Sequence, residues 1–174
     1  MKAITLYQPH ASLVALRAKK FETRGWKTSY RGPLAIHAGV SEKYLDLGWQ
    51  EPFFSALRPL HKEKEGESVS ILWPMGCIIA IVELVNCWRI VHHPGTNVDI
   101  AKNIPIGAEL DVPRNHPDFH KYIVPTEEEM MFGDWTPGRY AWELANAKPL
   151  EKPIPAKGKQ RLWNWERGVE DYND

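Results

Sequence analysis

Residues 76–91, with the sequence GCIIAIVELVNCWRIV, are the longest β-type run in the chain and decide its fold. The run is nearly continuous in Ile, Val and Leu, which is typical of a central strand that is buried on both faces. Glu83 interrupts it, and an acid inside such a strand is costly to bury unless it is paired or functional. We therefore expect Arg24 or Arg139 to be its internal partner.

Shorter elements are predicted on both sides of this central strand. Residues 3–7 predict a strand. Pro9 suits the first turn of a helix that continues to about Lys19, because proline lacks the backbone donor that would be unpaired there. Further patterns predict strands at 21–24, 34–38 and 139–144, short helices within 41–60, a capped helical turn from Thr126 to Gly133, and loops at 61–70, 92–125 and 152–161.

The proportion of these elements indicates the fold class. Short strands outnumber helices, and neither an internal repeat nor a βαβ rhythm is present. A chain of 174 residues is most economically one domain with a core of its own. The sequence therefore predicts a mixed α+β fold, mainly β, in which a single barrel domain over residues 1–174 carries peripheral helices.

The charge of the chain is balanced overall but unevenly distributed. Lys and Arg number 22, Asp and Glu also number 22, and the formal net charge is zero. Proteins that coat duplex DNA non-specifically are usually far more basic, so this class is excluded. Residues 17–31 nevertheless hold six basic side chains and one acid, and residues 157–167 hold four and one. Any nucleic-acid binding would therefore come from local patches.

The cysteines and the absent motifs exclude several kinds of site. Cys77 and Cys87 bracket the apolar run and would lie roughly 33 Å apart on one extended strand, too far for a bridge. With no signal peptide before them, buried thiols of a cytoplasmic protein are expected. The sequence has no metal-ligand spacing, no glycine-rich phosphate loop and no apolar run of membrane-spanning length. We expect no metal, no cofactor and no membrane contact.

Residues 17–38, RAKKFETRGWKTSYRGPLAIHA, concentrate the residue types that bind nucleotides. Cations are interleaved with Trp26 and Tyr30, which suits a ligand that carries both anionic charge and flat rings, such as single-stranded RNA. Along an extended segment Glu22 and Arg24 project to one face, and Lys19 can fold over them. One acid among several cations is also a grouping that can move protons.

The segment Lys19-Lys20-Phe21-Glu22-Thr23-Arg24 resembles the Gly-x-Lys-x-x-Glu-x-Arg signature of ASCH domains, a family with a PUA-like barrel. Lys19, Glu22 and Arg24 fill its charged positions, and Arg17 stands where the signature has glycine. The resemblance extends through three further blocks in the same order, at residues 30–38, 132–142 and 157–163.

The resemblance implies recognition of RNA or of a (modified) nucleoside or nucleotide. Two bacterial branches of the family are similar to enzymes, one to a 4-acetylcytidine amidohydrolase and the other to a ribonuclease. In the amidohydrolase branch the first signature lysine is implicated in catalysis, and Lys19 is the matching residue. That branch has threonine at the position of Glu22 and uses a later glutamate, whose nearest counterpart here is Glu128 or Glu129.

The candidate site residues fall into two groups. The candidates for catalysis are Lys19, Glu22, His37 and Glu129. The candidates for ligand or RNA binding are Lys20, Arg24, Trp26, Tyr30, Arg31, Arg139, Tyr140, Lys157, Lys159 and Gln160. A satisfied core histidine is at least as good an interpretation of His37, and a solvated loop is as good an interpretation of Lys157 and Lys159.

Three functions fit these patterns. The first is binding of RNA or a nucleotide in a cleft with walls at residues 19–31, 139–142 and 157–160. The second is hydrolysis in the same cleft, of a nucleoside amide or an RNA phosphodiester, in which Lys19 stabilises charge and a carboxylate or His37 moves protons. The third is a protein-interaction adaptor that docks a partner on its Trp-rich C-terminal segment.

Overall fold

A computed structural model describes residues 1–63, 68–92, 99–101 and 122–166. The strands within these residues are Lys2–Leu6 (β1), Phe21–Arg24 (β2), Gly32–Ala38 (β3), His61–Lys62 (β4), Ser70–Ile71 (β5), Cys77–Val91 (β6), Asp99–Ala101 (β7), Tyr122–Ile123 (β8), Tyr140–Pro155 (β9) and Leu162–Asn164 (β10). The helices are His10–Ala15 (α1), Phe53–Ala56 (α2) and Glu127–Met131 (α3), with 3-10 helices at Leu45–Trp49 and Arg58–Leu60.

Most of the described strands belong to one large mixed sheet. Its order is β10-β1-β3-β6-β7-β8, with β9 paired to β2 and β6, while β4 and β5 form a separate antiparallel pair. Strands β1 and β3 run parallel, and β1 pairs antiparallel with β10. The mixed, mainly β fold is therefore confirmed, whereas closure into a barrel stays a prediction.

The bounds of the central strand β6 are confirmed almost to the residue, but its predicted burial on both faces is wrong beyond Ala80, and Glu83 is exposed. Residues 77–80 are buried, and further along the strand buried and more exposed residues alternate. The Glu83 side chain is exposed, and its Oε2 accepts a hydrogen bond from Nδ2 of Asn146 at 3.1 Å. The expected pairing with an internal arginine is wrong, because an exposed carboxylate needs no buried cation.

Helix α1 begins directly after Pro9, as predicted, but ends at Ala15 instead of continuing to Lys19. Arg17 has φ +65°, in the left-handed region, and its N–H donates to the carbonyl of Val14 at 3.0 Å. The N–H of Ala18 donates to the carbonyl of Leu13 at 2.9 Å. These two bonds close a Schellman cap, a helix end whose left-handed position is usually glycine. Arg17 occupies that position here.

The residues group into two compact units. The first comprises Met1–Ala18, Pro33–Glu83 and Asn146–Asp174, and the second comprises Lys19–Gly32 and Leu84–Ala145. A hydrophobic cluster of the first unit contains Ala3, Ala35, Ile78, Trp163 and Trp165. A hydrophobic cluster of the second unit contains Phe21, Trp88, Ile90, Trp135 and Ala141. One domain over residues 1–174 stays a prediction.

All three predicted loops contain strand residues, and β4 and the start of β5 lie in the loop predicted at 61–70. Strand β9 continues through the proline-rich stretch to Pro155, and Pro153 and Pro155 are exposed. Proline is tolerated in strands where its missing N–H is not needed for pairing. The predicted loop 92–125 contains β7 and β8, which pair antiparallel. The rest of this loop, including His93, lies mostly outside the described residues, and so does Lys64.

None of the helices that the structure describes has the length and apolar character needed to span a membrane.

Candidate ligand-binding site

Strands β2 and β9 bring several of the predicted site residues to one face of the second unit. Their antiparallel register places Arg24 opposite Tyr140 and Glu22 opposite Trp142. Directly opposite residues of an antiparallel pair share a face, and their Cβ atoms lie about 5 Å apart. We call the surface formed by Glu22, Arg24, Trp26, Tyr140 and Trp142 the β2–β9 face.

Glu22 and Arg24 form an ion pair on this face, as the strand periodicity predicts. Nε of Arg24 lies 2.9 Å from Oε1 of Glu22, and both side chains are partly exposed. Thr23 points to the opposite side, where it is buried and its Oγ1 accepts a hydrogen bond from the N–H of Asp134 at 2.9 Å. The guanidinium is therefore held beside a carboxylate with part of its surface open to a ligand.

Lys19 folds back toward Glu22, as expected, but it is buried. Its Nζ donates a hydrogen bond to the carbonyl of Phe132 at 2.6 Å and lies 3.7 Å from Oε2 of Glu22. Burial lowers the pKa of Lys19, while the charges of Glu22 and Glu129 oppose this shift. Only 2% of the residue is exposed, so this ammonium acts within the protein and not on its surface.

Glu129 lies on α3, and its side chain is buried against the start of β2. Thr126 caps α3 as the sequence predicts, because its Oγ1 accepts a hydrogen bond from the N–H of Glu129 at 3.1 Å. The Glu129 carboxylate does not complete a capping box. Instead it accepts hydrogen bonds from the N–H of Lys20 at 2.9 Å and of Phe21 at 2.9 Å. Burial raises the pKa of this carboxyl, and the two N–H groups partly counteract the shift. Glu129 thereby joins α3 to β2.

The aromatic residues of the face differ in how far their rings are exposed to solvent. The rings of Trp26 and Trp142 meet edge to face, with centroids 4.5 Å apart, and Nε1 of Trp142 donates to the carbonyl of Trp26 at 3.3 Å. Trp142 is fully buried, whereas Trp26 and Tyr140 are half-buried. Trp142 is therefore covered by Trp26, and Trp26 and Tyr140 are the partly exposed rings of the face.

Arg139 and Arg31 are both held by backbone carbonyls. Nε of Arg139 donates to the carbonyl of Asp134 at 3.2 Å and forms an ion pair with its carboxylate. A Cβ on Gly25 would lie 3.7 Å from Nη1 of Arg139, which places this guanidinium beside the β2 end. Nη1 of Arg31 donates to the carbonyls of Thr28 at 3.1 Å and Tyr30 at 2.7 Å.

Sequence reasoning missed Asp134, which holds Arg139. Its carboxylate also accepts hydrogen bonds from the N–H and hydroxyl of Thr136, and these bonds together with Arg139 lower the pKa of the carboxyl. The signal in the sequence is the aspartate itself, since an Asp side chain commonly accepts a hydrogen bond from the backbone N–H two residues further on.

The other predicted site residues belong to the first unit. Lys157, Lys159 and Gln160 are exposed. His37 is buried on β3, its Nε2 contacts the carbonyl of Ala156 at 2.9 Å, and burial lowers the pKa of its ring. This placement agrees with the interpretation of His37 as a core histidine. The cleft with three walls stays a prediction, because its third wall lies in the first unit.

Comparison with known proteins identifies the family. The ASCH domain model matches residues 4–154, which is most of the chain. The chain belongs to the ASCH domain family. The match includes the whole signature segment 17–24 and every residue of the β2–β9 face, and ASCH domains are PUA-like. A search of curated proteins finds no match.

Proposed function

We propose that this ASCH domain binds RNA or a nucleotide on the β2–β9 face. Membership of the family points in general to functions of this kind. The observation that carries the proposal is the placement of Arg24, which is paired with Glu22 at 2.9 Å and stands opposite Tyr140 in the strand register. A fixed guanidinium next to an aromatic ring matches a ligand that presents a phosphate next to a base.

The charges around the face support the same ligand. Lys20 and Lys27 are exposed at its border, and Arg139 lies beside Gly25. The net charge of the whole chain is zero, so affinity depends on these few cations and not on a general positive field. A ligand held by few phosphates gives a shallow salt dependence, with a slope of about −0.7 per phosphate for single strands.

The test is a titration of a labelled single-stranded RNA of mixed sequence with the protein, in which fluorescence anisotropy measures binding at several salt concentrations. We expect Arg24→Ala to lower affinity about tenfold, which corresponds to about 1.4 kcal/mol. Tyr140→Leu removes the stacking ring and costs about 1–3 kcal/mol in a stacked complex. Lys62→Ala is the matched control, because Lys62 is an exposed lysine on β4 of the first unit. Equal losses from Arg24→Ala and Lys62→Ala would contradict the proposal.

Hydrolysis is a second candidate, and the environment of Lys19 favours it. Burial lowers the pKa of this lysine, so its amine gives up a proton more readily than a surface lysine does. Glu129, whose carboxyl pKa is raised, interacts electrostatically with Lys19. An amine whose pKa is lowered and a carboxyl whose pKa is raised form a pair that can exchange protons with a substrate. A nucleoside amide such as 4-acetylcytidine would meet this pair only if Lys19 became accessible, since the residue is 2% exposed.

This candidate is tested by incubating the protein with 4-acetylcytidine and measuring the release of acetate by NMR. An enzyme loses turnover in Lys19→Met and keeps it in Lys62→Met, provided that circular dichroism shows both variants folded. Absence of acetate release from the unmodified protein excludes the amide reaction. Incubation of the same samples with a mixed RNA pool tests phosphodiester cleavage.

A further inference from the structure

Residues 156–160, which lie in the segment between β9 and β10, form a basic loop of the first unit. Its sequence is Ala-Lys-Gly-Lys-Gln, and the side chains of Lys157, Lys159 and Gln160 are exposed. Exposed lysines alone do not make a binding site, because their side chains are mobile and solvated. The backbone under these lysines, however, is held by hydrogen bonds from the buried His37 and the partly exposed Thr5.

Two carbonyl groups of this 156–160 loop accept hydrogen bonds from side chains of neighbouring strands. Nε2 of His37 contacts the carbonyl of Ala156 at 2.9 Å, and Oγ1 of Thr5 donates to the carbonyl of Lys159 at 2.9 Å. Thr5 in turn accepts a hydrogen bond from Nε1 of Trp163 at 3.3 Å. The N–H of Ala156 donates to the carbonyl of Gly76 at 3.0 Å. The loop is thus fixed at both ends.

Between these two ends the loop lies directly against the imidazole of His37. A Cβ on Gly158 would lie 2.5 Å from Cε1 and 2.7 Å from Nδ1 of that ring, so a larger residue requires the ring or the loop to move. The ring itself is fixed, because it is 2% exposed and its edge meets Trp163 at a centroid distance of 5.8 Å. Glycine is therefore required where the backbone approaches the ring.

The geometry also sets the protonation of His37. A carbonyl oxygen can only accept, so Nε2 carries the proton that is donated to Ala156. Nδ1 is then the bare nitrogen of a neutral ring, and within the described residues it has no hydrogen-bond partner. Gly158 covers the ring on the Nδ1 side. This arrangement fits a residue that shapes the loop better than one that exchanges protons with a substrate.

We propose that His37 is a positioning residue, which holds the 156–160 loop so that Lys157 and Lys159 bind phosphate groups of a single-stranded RNA. The proposal rests on the proposed function and assigns these two lysines of the first unit to RNA binding. A loop that is already ordered loses little conformational entropy when it binds, so its lysines contribute more affinity than those of a mobile loop. His37 acts through this backbone and does not contact the RNA.

A double-mutant cycle between His37 and Lys159 separates positioning from a general effect on the fold. The variants are Lys159→Ala, His37→Leu and the two combined, with His37→Gln as the conservative replacement, since its amide N–H can still donate to Ala156. His61→Leu is the matched control, because His61 is a half-buried histidine of the first unit that stacks on Phe54. Urea unfolding of each variant shows that it is folded under the binding conditions.

If His37 positions the loop, Lys159→Ala lowers RNA affinity about fivefold in the unmodified protein and less than about twofold in His37→Leu, because the two residues are energetically coupled. In the His37→Gln background, Lys159→Ala again lowers RNA affinity nearly as much as in the unmodified protein. In the His61→Leu background, Lys159→Ala lowers RNA affinity by the same factor as in the unmodified protein. Equal effects of Lys159→Ala in both backgrounds overturn the proposal. If Arg24→Ala weakens binding but Lys159→Ala does not, the proposed function stands and this inference fails. If the unmodified protein does not bind RNA, both fail.

Discussion

Nε of Arg24 lies 2.9 Å from Oε1 of Glu22, two residues earlier on the same face of β2. Glu22 also has Nζ of Lys19 at 3.7 Å, so one partly exposed carboxylate stands between a buried ammonium and a partly exposed guanidinium. Such a carboxylate can anchor the two cations, or it can move protons during a reaction. The contacts favour the anchor, because one oxygen of the carboxylate pairs with Arg24 and the other faces Lys19.

Glu22→Gln distinguishes the two roles. Because glutamine keeps the shape of the side chain and removes its charge, we expect the fold to persist and RNA affinity to fall by less than about fivefold, in line with a partly exposed ion pair worth up to about 1 kcal/mol. Anisotropy titrations measure this change, and Glu42→Gln, at an exposed glutamate of the first unit, is the control. Turnover that disappears in Glu22→Gln while affinity stays intact would show instead that Glu22 is the proton shuttle.

The elements that the sequence predicts well are those determined by local pattern. Strand β6 follows from a continuous apolar run, and the start of α1 follows from Pro9. The cap of α3 follows from Thr126. Within the site, the common face of Glu22 and Arg24 follows from the two-residue period of a strand. Each of these features depends on residues within a few positions of one another.

The features that the sequence does not reveal depend on distant partners. Lys19 is buried because it reaches the carbonyl of Phe132, which is 113 positions away. In the run Glu127-Glu128-Glu129 all three residues are alike in sequence, and only the packing of α3 on β2 shows that Glu129 is the buried one. The end of α1 was predicted too late, because nothing in the local pattern indicates that an arginine adopts the left-handed conformation at position 17.

Glu129→Gln tests the role of the buried carboxylate. Glutamine has one acceptor oxygen where Glu129 has two, and its amide would face the N–H of Lys20 or Phe21. We expect a loss of about 1–3 kcal/mol of unfolding free energy, the cost of an unsatisfied buried group. Urea denaturation measures this loss, with the exposed neighbour in Glu128→Gln as the control, for which we expect a change within about 0.5 kcal/mol. A Glu129→Gln variant of unchanged stability that loses turnover would assign this residue to catalysis.

Arg17 offers a test of backbone strain at the position where the ASCH signature has glycine. Its φ of +65° is unfavourable for a residue with a Cβ, by about 1–2 kcal/mol. Its Nε also donates to the carbonyl of Ala147 at 3.0 Å, so any replacement loses this bond. Arg17→Ala keeps the strain and Arg17→Gly removes it. We therefore expect the glycine variant to be the more stable of the two by about 1 kcal/mol, after the greater flexibility of unfolded glycine is allowed for. Thermal and urea unfolding of both variants measure the difference, and an alanine variant as stable as the glycine variant would show that this position carries no strain.

The neutral ring of His37 makes stability depend on pH in a defined direction. Burial lowers its pKa below the ordinary value of 6.5, while the hydrogen bond to the carbonyl of Ala156 opposes the shift. The unfolded chain therefore takes up the proton first as the pH falls. The stabilisation is fully present above pH 6.5 and is lost as the pH falls through the lower pKa of the folded state. We expect the difference in unfolding free energy between the unmodified protein and His37→Gln to shrink from pH 7.5 to pH 5, a range that contains the ordinary histidine pKa of 6.5. Urea denaturation of both proteins at each pH measures it, and the subtraction cancels the other titrating groups, which both proteins share. A difference that stays constant over this range would mean that His37 is not held as the neutral ring that the 156–160 loop requires.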